Sequence, residues 1–268
     1  DVARRVGVDK IAGMCTRFGL GAPTGLDVPG EKSGLVPTRA WKLAARRQAW
    51  TGGDTYVLGI GQGYILTTPL QLAVMTARIA NGGRAVKPRL ITGYRSGTSS
   101  GDDGPAAAHQ VAFSSDAPEA PLLPPVGVDP SYLAVVQRGM DYVVNQPGGT
   151  AYRARIVNPA FRMAGKTGTS QVKRITMAER ARGLTKPQDM PWKDRDNALF
   201  IGFAPVDNPK YAIAVVLEHG IGGAAFAGPI ARDILEFALK RNTSPPTTIP
   251  PGAPASTLQP AAKREDHI

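Results

Sequence analysis

Cysteine is nearly absent from this chain of 268 residues: Cys15 stands alone, which excludes an internal disulfide framework and any cysteine-based zinc cluster. Histidine is almost as scarce. None of His109, His219 and His267 has a second histidine three or four residues away, and a metal site needs converging ligands, so neither a metal nor a cofactor is expected. Long apolar runs are missing as well. The longest, YAIAVVL at 211–217, is strand-sized and far short of the roughly 18 residues that mark a membrane-spanning helix. Aromatic residues make up only 6% of the chain. Acidic residues are the minority charge, 21 against 32 Lys and Arg, which leaves a net charge of +11. Such an excess suits an anionic partner: nucleic acid, acidic lipid headgroups or an anionic polymer.

Two common ligand signatures are also missing. Gly59, Gly61 and Gly63 form G-x-G-x-G, whose third glycine comes one residue too early for a dinucleotide fingerprint, so they read as turn glycines. Gly165-Lys166-Thr167 looks like the end of a phosphate loop, but the position where that loop needs its first glycine is Ala160. Ser170-Gln171-Val172-Lys173 matches the bare pattern S-x-x-K, in which a serine nucleophile and a lysine base stand one helical turn apart. Here the segment continues a strand, so Ser170 is not taken as a nucleophile. The basic stretch from Lys173 to Arg195 holds one aromatic residue, Trp192. That is too little to stack bases, and nucleic acid is not expected as a partner.

Punctuation is what the chain has in plenty. Gly (31) and Pro (24) together make about a fifth of it, against a usual share near 12%. With 42% hydrophobic residues the class is nonetheless globular. One or two short helices are predicted over 1–20, ending at Gly19 or Gly21, with Val2, Val6, Ile11, Met14 and Phe18 at helical spacings. An amphipathic helix over 39–50 places Arg39, Lys42, Arg46 and Arg47 on its polar side. A further helix over 69–80 has Thr68 as N-cap, Pro69 at the first position and Gln71 to complete a capping box, with Asn81-Gly82-Gly83 as its stop. Residues 95–128 read as a mobile insertion. Asp129-Pro130 opens a helix whose apolar face is Leu133, Val136, Met140, Val143 and Val144, closed by Pro147-Gly148-Gly149.

From 160 onward the apolar period shortens to that of strands. FRMAGKTGTSQV, ALFIGFAPV and YAIAVVLEHG are three strand-like runs, and Asp207-Asn208-Pro209-Lys210 joins the last two into an antiparallel hairpin. A final helix over 229–241 is expected to bury Ile230, Ile234, Leu235 and Ala238, and a disordered Pro- and Ala-rich tail occupies 242–268. The AGKTGTS strand carries chemistry. Lys166 is a fixed cation, Thr167 and Thr169 offer hydroxyl donors to a carboxylate, and Gly168 leaves room for a substrate against the strand edge. A backbone N–H just past the glycine can serve as an oxyanion donor. This is equipment for a peptide-like acyl donor that ends in a carboxylate.

Four blocks in this order resemble the class B penicillin-binding proteins, of the elongation-type penicillin-binding protein 2: TGLDVPGE (24–31), GIGQGYILTTPLQLAVMTARIANGG (59–83), AGKTGTSQ (164–171) and FIGFAPVDNPKYAIAVVLEHG (200–220). PGGTAY (147–152) adds a weaker match. The resemblance implies an α+β fold, an antiparallel five-stranded sheet sandwiched by helices, of which residues 1–241 supply the last three strands and the closing helix. It implies a serine-type D,D-transpeptidase acting on peptidoglycan stem peptides that end in D-Ala-D-Ala, inhibited by β-lactams, at the periplasmic face of the bacterial inner membrane. A membrane glycosyltransferase of the elongation machinery is the implied partner. Of the family's three motifs only K-T-G is present. Lys166 would maintain the positive potential and proton network, Thr167 and Thr169 would hold the substrate carboxylate beside Gly168, and the Thr169 N–H would donate to the oxyanion. The S-x-x-K and S-x-N motifs are expected upstream of Asp1, so the 268-residue chain alone is expected to be inactive, with the strand at 211–218 as an unpaired edge.

Overall fold

The computed structural model describes residues 1–26, 28–90, 124–173, 181–183 and 185–243. Most of the expected tail lies outside them, residues 242 and 243 instead continuing the final helix, and so does most of the expected insertion. Residues 124–128 are the exception: Val126 is buried, its N–H donates to Gly83 O at 2.8 Å, and the Arg17 guanidinium donates to the Val126 and Gly127 carbonyls.

Helices fill the first half. α1 (Val2–Val6) and α2 (Val8–Arg17) are separated by Gly7, whose left-handed φ of 81° breaks the helical path. Val2, Val6 and Met14 are exposed, and Val8, Ala12, Phe18 and Leu20 are the apolar residues this region buries. α3 (Arg39–Arg46) starts at Thr38, whose hydroxyl accepts from Trp41 N, and stops at Arg47 in the left-handed conformation. It is shorter than the sequence predicted. α4 (Gly52–Gly59) is a helix that the sequence reading missed, because three glycines dilute its helix propensity. The available signal was its capping box, in which the Thr51 hydroxyl accepts from Asp54 N and the Asp54 carboxylate accepts from Thr51 N. α5 (Pro69–Ala80) matches its predicted span, with the Thr68–Gln71 box formed and Gly82 and Gly83 as the left-handed stop. The buried Gln71 amide also donates to Ala22 O and Ser33 O, which ties the Pro- and Gly-rich loop onto α5.

α6 (Pro130–Asn145) is capped by Asp129 and buries Leu133, Met140 and Val144, while Val136 is exposed. It leads to an antiparallel sheet in the order β1 (Ala164–Ser170), β2 (Asn197–Ala204), β3 (Tyr211–Leu217). Register pairs Lys166 with Ile201, Thr167 with Phe200 and Phe200 with Val215. Side chains therefore alternate between two covered faces. Ala164, Ile201, Phe203 and Ala212 pack against Ala80 and Met140 of α5 and α6. Ala198, Phe200 and Val215 pack on the other face against Ala227, Ala231, Leu235 and Leu239. Those four residues belong to a π-helical turn (Gly223–Ala227) and to α7 (Gly228–Thr243). The buried face of α7 is thus one position out of phase with the predicted one. Leu235 is buried as expected, but Ile230 and Ile234 are exposed, and with Phe237 at 66% they form an open apolar stripe.

Candidate functional site

β1 lies at one edge of the sheet, and among the described residues no strand pairs with its outer side. Two side chains report which backbone groups face that open edge. Lys166 Nζ donates to Thr167 O at 2.8 Å, and Gln62 Nε2 donates to Thr169 O at 2.9 Å. In an antiparallel ladder a residue directs its N–H and C=O to the same side. The N–H groups of Thr167 and Thr169 therefore point outward together with their carbonyls, while Gly168 pairs inward with Leu199. The structure brings all four sequence-predicted residues onto this one edge. Lys166 and Thr169 are exposed, and Thr167 and Gly168 are half-buried.

Packing explains the glycines. A Cβ on Gly165 would run into the Phe200 ring, and one on Gly168 would press on Leu199 Cβ at 3.3 Å. From the far side, Gly223 of the π-helical turn sits so close that a Cβ there would meet Leu199 O and lie 2.7 Å from Gly168 O. Three glycines thus allow the turn and two strands to close up behind the site. Ser170 is the final, exposed residue of β1, and the chain bends at Lys173, which pairs with Asp194 at 4.0 Å. Ser170 ends β1 and residues 171–173 are not helical, so the S-x-x-K geometry is not formed.

Two residues that the sequence reading did not assign also reach β1. The Thr150 hydroxyl lies 3.1 Å from that of Thr167; it is brought there by the PGGT turn, where a side chain on Gly149 would run into the Val143 and Tyr142 carbonyls. The signal was the PGGTAY block, seen but given no role. Gln62 is the second, and it comes from the glycine run read only as a turn. Beside Thr150 lies a cavity of about 530 Å³ lined by Tyr152, Arg153, Ala224, Ala225 and Pro229. Beside Gln62 lies a cleft of about 630 Å³ lined by Trp50, Asp54, Tyr64 and Gln171. The open edge of β1 runs between the two.

Lys42 corrects another expectation. Instead of facing solvent with Arg39, Arg46 and Arg47 it is 4% exposed, because α4 lays Asp54 against it at 2.6 Å. The Trp50 and Tyr64 rings lie 6.0 and 5.7 Å from its ammonium, within cation–π range. Burial pushes the Asp54 carboxyl up, but hydrogen bonds from Lys42 and from the Thr51 N–H and hydroxyl outweigh it and hold the group below its usual range. The TGLDVPGE block has a comparable anchor. Thr24 donates to Glu31 through both its N–H and hydroxyl at 2.6 Å, and these bonds lower the Glu31 carboxyl. Burial raises the Cys15 thiol, the opposite of what a reactive thiolate requires. His219 lies in the turn after β3, with Nδ1 3.0 Å from Arg195 O and its ring against Trp192.

Helices on both faces of an antiparallel sheet, with K-T-G-T on its open edge, define the penicillin-binding, serine β-lactamase-like class of fold. Within that class the chain belongs to the penicillin binding protein transpeptidase domain family, whose profile matches residues 1–236. It is 35% identical over 251 residues to peptidoglycan D,D-transpeptidase MrdA of Salmonella typhimurium, covering 93% of this chain and 37% of that protein. To MrdA of Escherichia coli K12 it is 33% identical over 267 residues, 99% of this chain and 38% of the relative. Among solved structures, Pseudomonas aeruginosa PBP2 in complex with WCK 5153 superposes with a TM-score of 0.68 at 35% identity, over 89% of this chain and 44% of the other. The Helicobacter pylori complex of PBP2 and MreC gives 0.68 at 29% identity, over 90% and 37%. The chain therefore spans little more than a third of the length of these curated relatives.

Proposed function

We propose that this chain carries the substrate-binding strand of an elongation-type peptidoglycan D,D-transpeptidase. The observation that carries the proposal is the open edge of β1, which presents a lysine, two threonine hydroxyls and two outward N–H groups within four residues. An acyl peptide lies along that edge with its terminal carboxylate held by the Thr167 and Thr169 hydroxyls, within the positive potential of Lys166. Charge-assisted hydrogen bonds of this kind are worth about 1.5–3 kcal/mol each. The Thr169 N–H donates to the carbonyl oxygen as it becomes an oxyanion. Loss of one such donor typically costs about 10²–10³ in kcat.

The reaction proceeds by serine attack on the penultimate D-Ala carbonyl, release of terminal D-Ala and transfer of the acyl group to an acceptor amine. In this reading the serine and its lysine come from outside these 268 residues, because Ser170 ends β1 and residues 171–173 are not helical. β-Lactams act as carboxylate-bearing mimics of the peptide on the same edge. The periplasmic face of the inner membrane is the proposed location, and the net charge of +11 suits work beside anionic lipid. A membrane glycosyltransferase that makes the glycan strands is the proposed partner.

Labelling with fluorescent penicillin tests the division of labour. The 268-residue chain is expected to form no covalent adduct. A stoichiometric adduct would overturn this assignment, and one mapped to Ser170 would make that residue the nucleophile.

A further inference from the structure

The glycine run at 59–63 has a specific geometry. Gly61 and Gly63 take left-handed φ values of 76° and 85°, and between them the Gln62 N–H donates to Val57 O at 3.1 Å. The backbone of Gln62 is thereby pinned to the end of α4. Its half-buried side chain then crosses to β1, 107 residues away, and donates to the Thr169 carbonyl. The acceptor fixes the orientation of the amide, since only its NH₂ end can donate to a carbonyl.

An incoming peptide needs that same oxygen. Strand addition joins N–H groups of the new chain to the outward carbonyls of the edge, and Thr169 O is one of the two that face outward between Lys166 and Thr169. We propose that Gln62 is a latch on β1: it occupies the place of a substrate amide N–H at Thr169 O, and binding exchanges one amide donor for another. This rests on the reading of β1 as the peptide-binding edge. The exchange replaces one neutral hydrogen bond by another, so the latch lowers affinity by about the worth of one such bond. In return the empty edge is denied to stray strands, which exposed edges otherwise recruit. The displaced side chain has somewhere to go, because Gln62 itself lines the cleft shared with Trp50 and Gln171.

NMR on the isotope-labelled chain separates the contact from its consequence. The Thr169 carbonyl shift is measured in the free wild type, in Gln62→Ala and in Gln62→Met, which keeps the length but cannot donate. Affinity for an N-acylated peptide ending in D-Ala-D-Ala is then measured for all three. Both variants are expected to shift the Thr169 carbonyl and to bind the peptide about five-fold more tightly. An unmoved carbonyl overturns the latch whatever the peptide does. A moved carbonyl with equal or weaker binding overturns the exchange and makes Gln62 a support of the strand. Absence of binding to all three proteins overturns the peptide-edge reading itself, and the exchange falls with it.

Discussion

Lys42 holds its charge inside a pocket of Asp54, Trp50 and Tyr64, and this one residue links α3 to α4. Removing one partner of a buried ion pair leaves the other unpaired, so Lys42→Ala is expected to destabilise the chain by about 3 kcal/mol in chemical denaturation. The same pair sets a pH response. The Asp54 carboxyl is lowered on folding from its ordinary value of 3.8. Its contribution is therefore complete above that value and is lost as pH falls through the lower folded value. Acid titration should show a loss of stability below about pH 4 that is missing in Asp54→Asn. Residues of this kind were hard to read from sequence. Lys166, Thr167, Gly168 and Thr169 are contiguous, so their shared chemistry was legible, whereas Thr150 and Gln62 reach the strand from 17 and 107 residues away. A lysine on a polar helix stripe likewise gives no local sign of a buried partner 12 residues on.

At the scale of elements, the spans that could be read were those with strong ends. Thr68-Pro69 with Gln71 fixed α5, and Asp129-Pro130 fixed the start of α6. α7 has two adjacent apolar stripes, and the sequence offered no reason to prefer Ala231, Leu235 and Leu239 over Ile230, Ile234 and Phe237. Tertiary packing chose the smaller set, because the π-helical turn brings α7 close over Phe200. That closeness depends on Gly223. Gly223→Ala forces a methyl into Leu199 O and Gly168 O, and overpacking of this type typically costs about 1–3 kcal/mol. The expected readout is a lowered denaturation midpoint together with altered amide shifts around Gly168. Unchanged shifts there would separate the turn from the site. The outer edge of β3 has no strand partner among the described residues, and Val216 is 37% exposed on it. Val216→Lys should slow heat-induced aggregation, measured by light scattering, since an edge lysine blocks strand addition.

For the whole molecule, two clefts flank one open strand edge. Leu43, Ile60 and Leu66 are among the exposed apolar residues. Large exposed apolar area favours association, so a broad, low-temperature melt is expected by calorimetry; a sharp, high-temperature transition would show that the chain is self-sufficient. The central claim is narrower: the edge from Lys166 to Thr169 binds a carboxylate-ended peptide. An amide-shift map of the labelled chain, titrated with an N-acylated peptide ending in D-Ala-D-Ala, tests it most directly. The expected result is saturable shifts concentrated at residues 165–170, with smaller ones at Thr150 and Gln62, all lost in Lys166→Ala. Shifts elsewhere, or shifts that persist unchanged in Lys166→Ala, would contradict it.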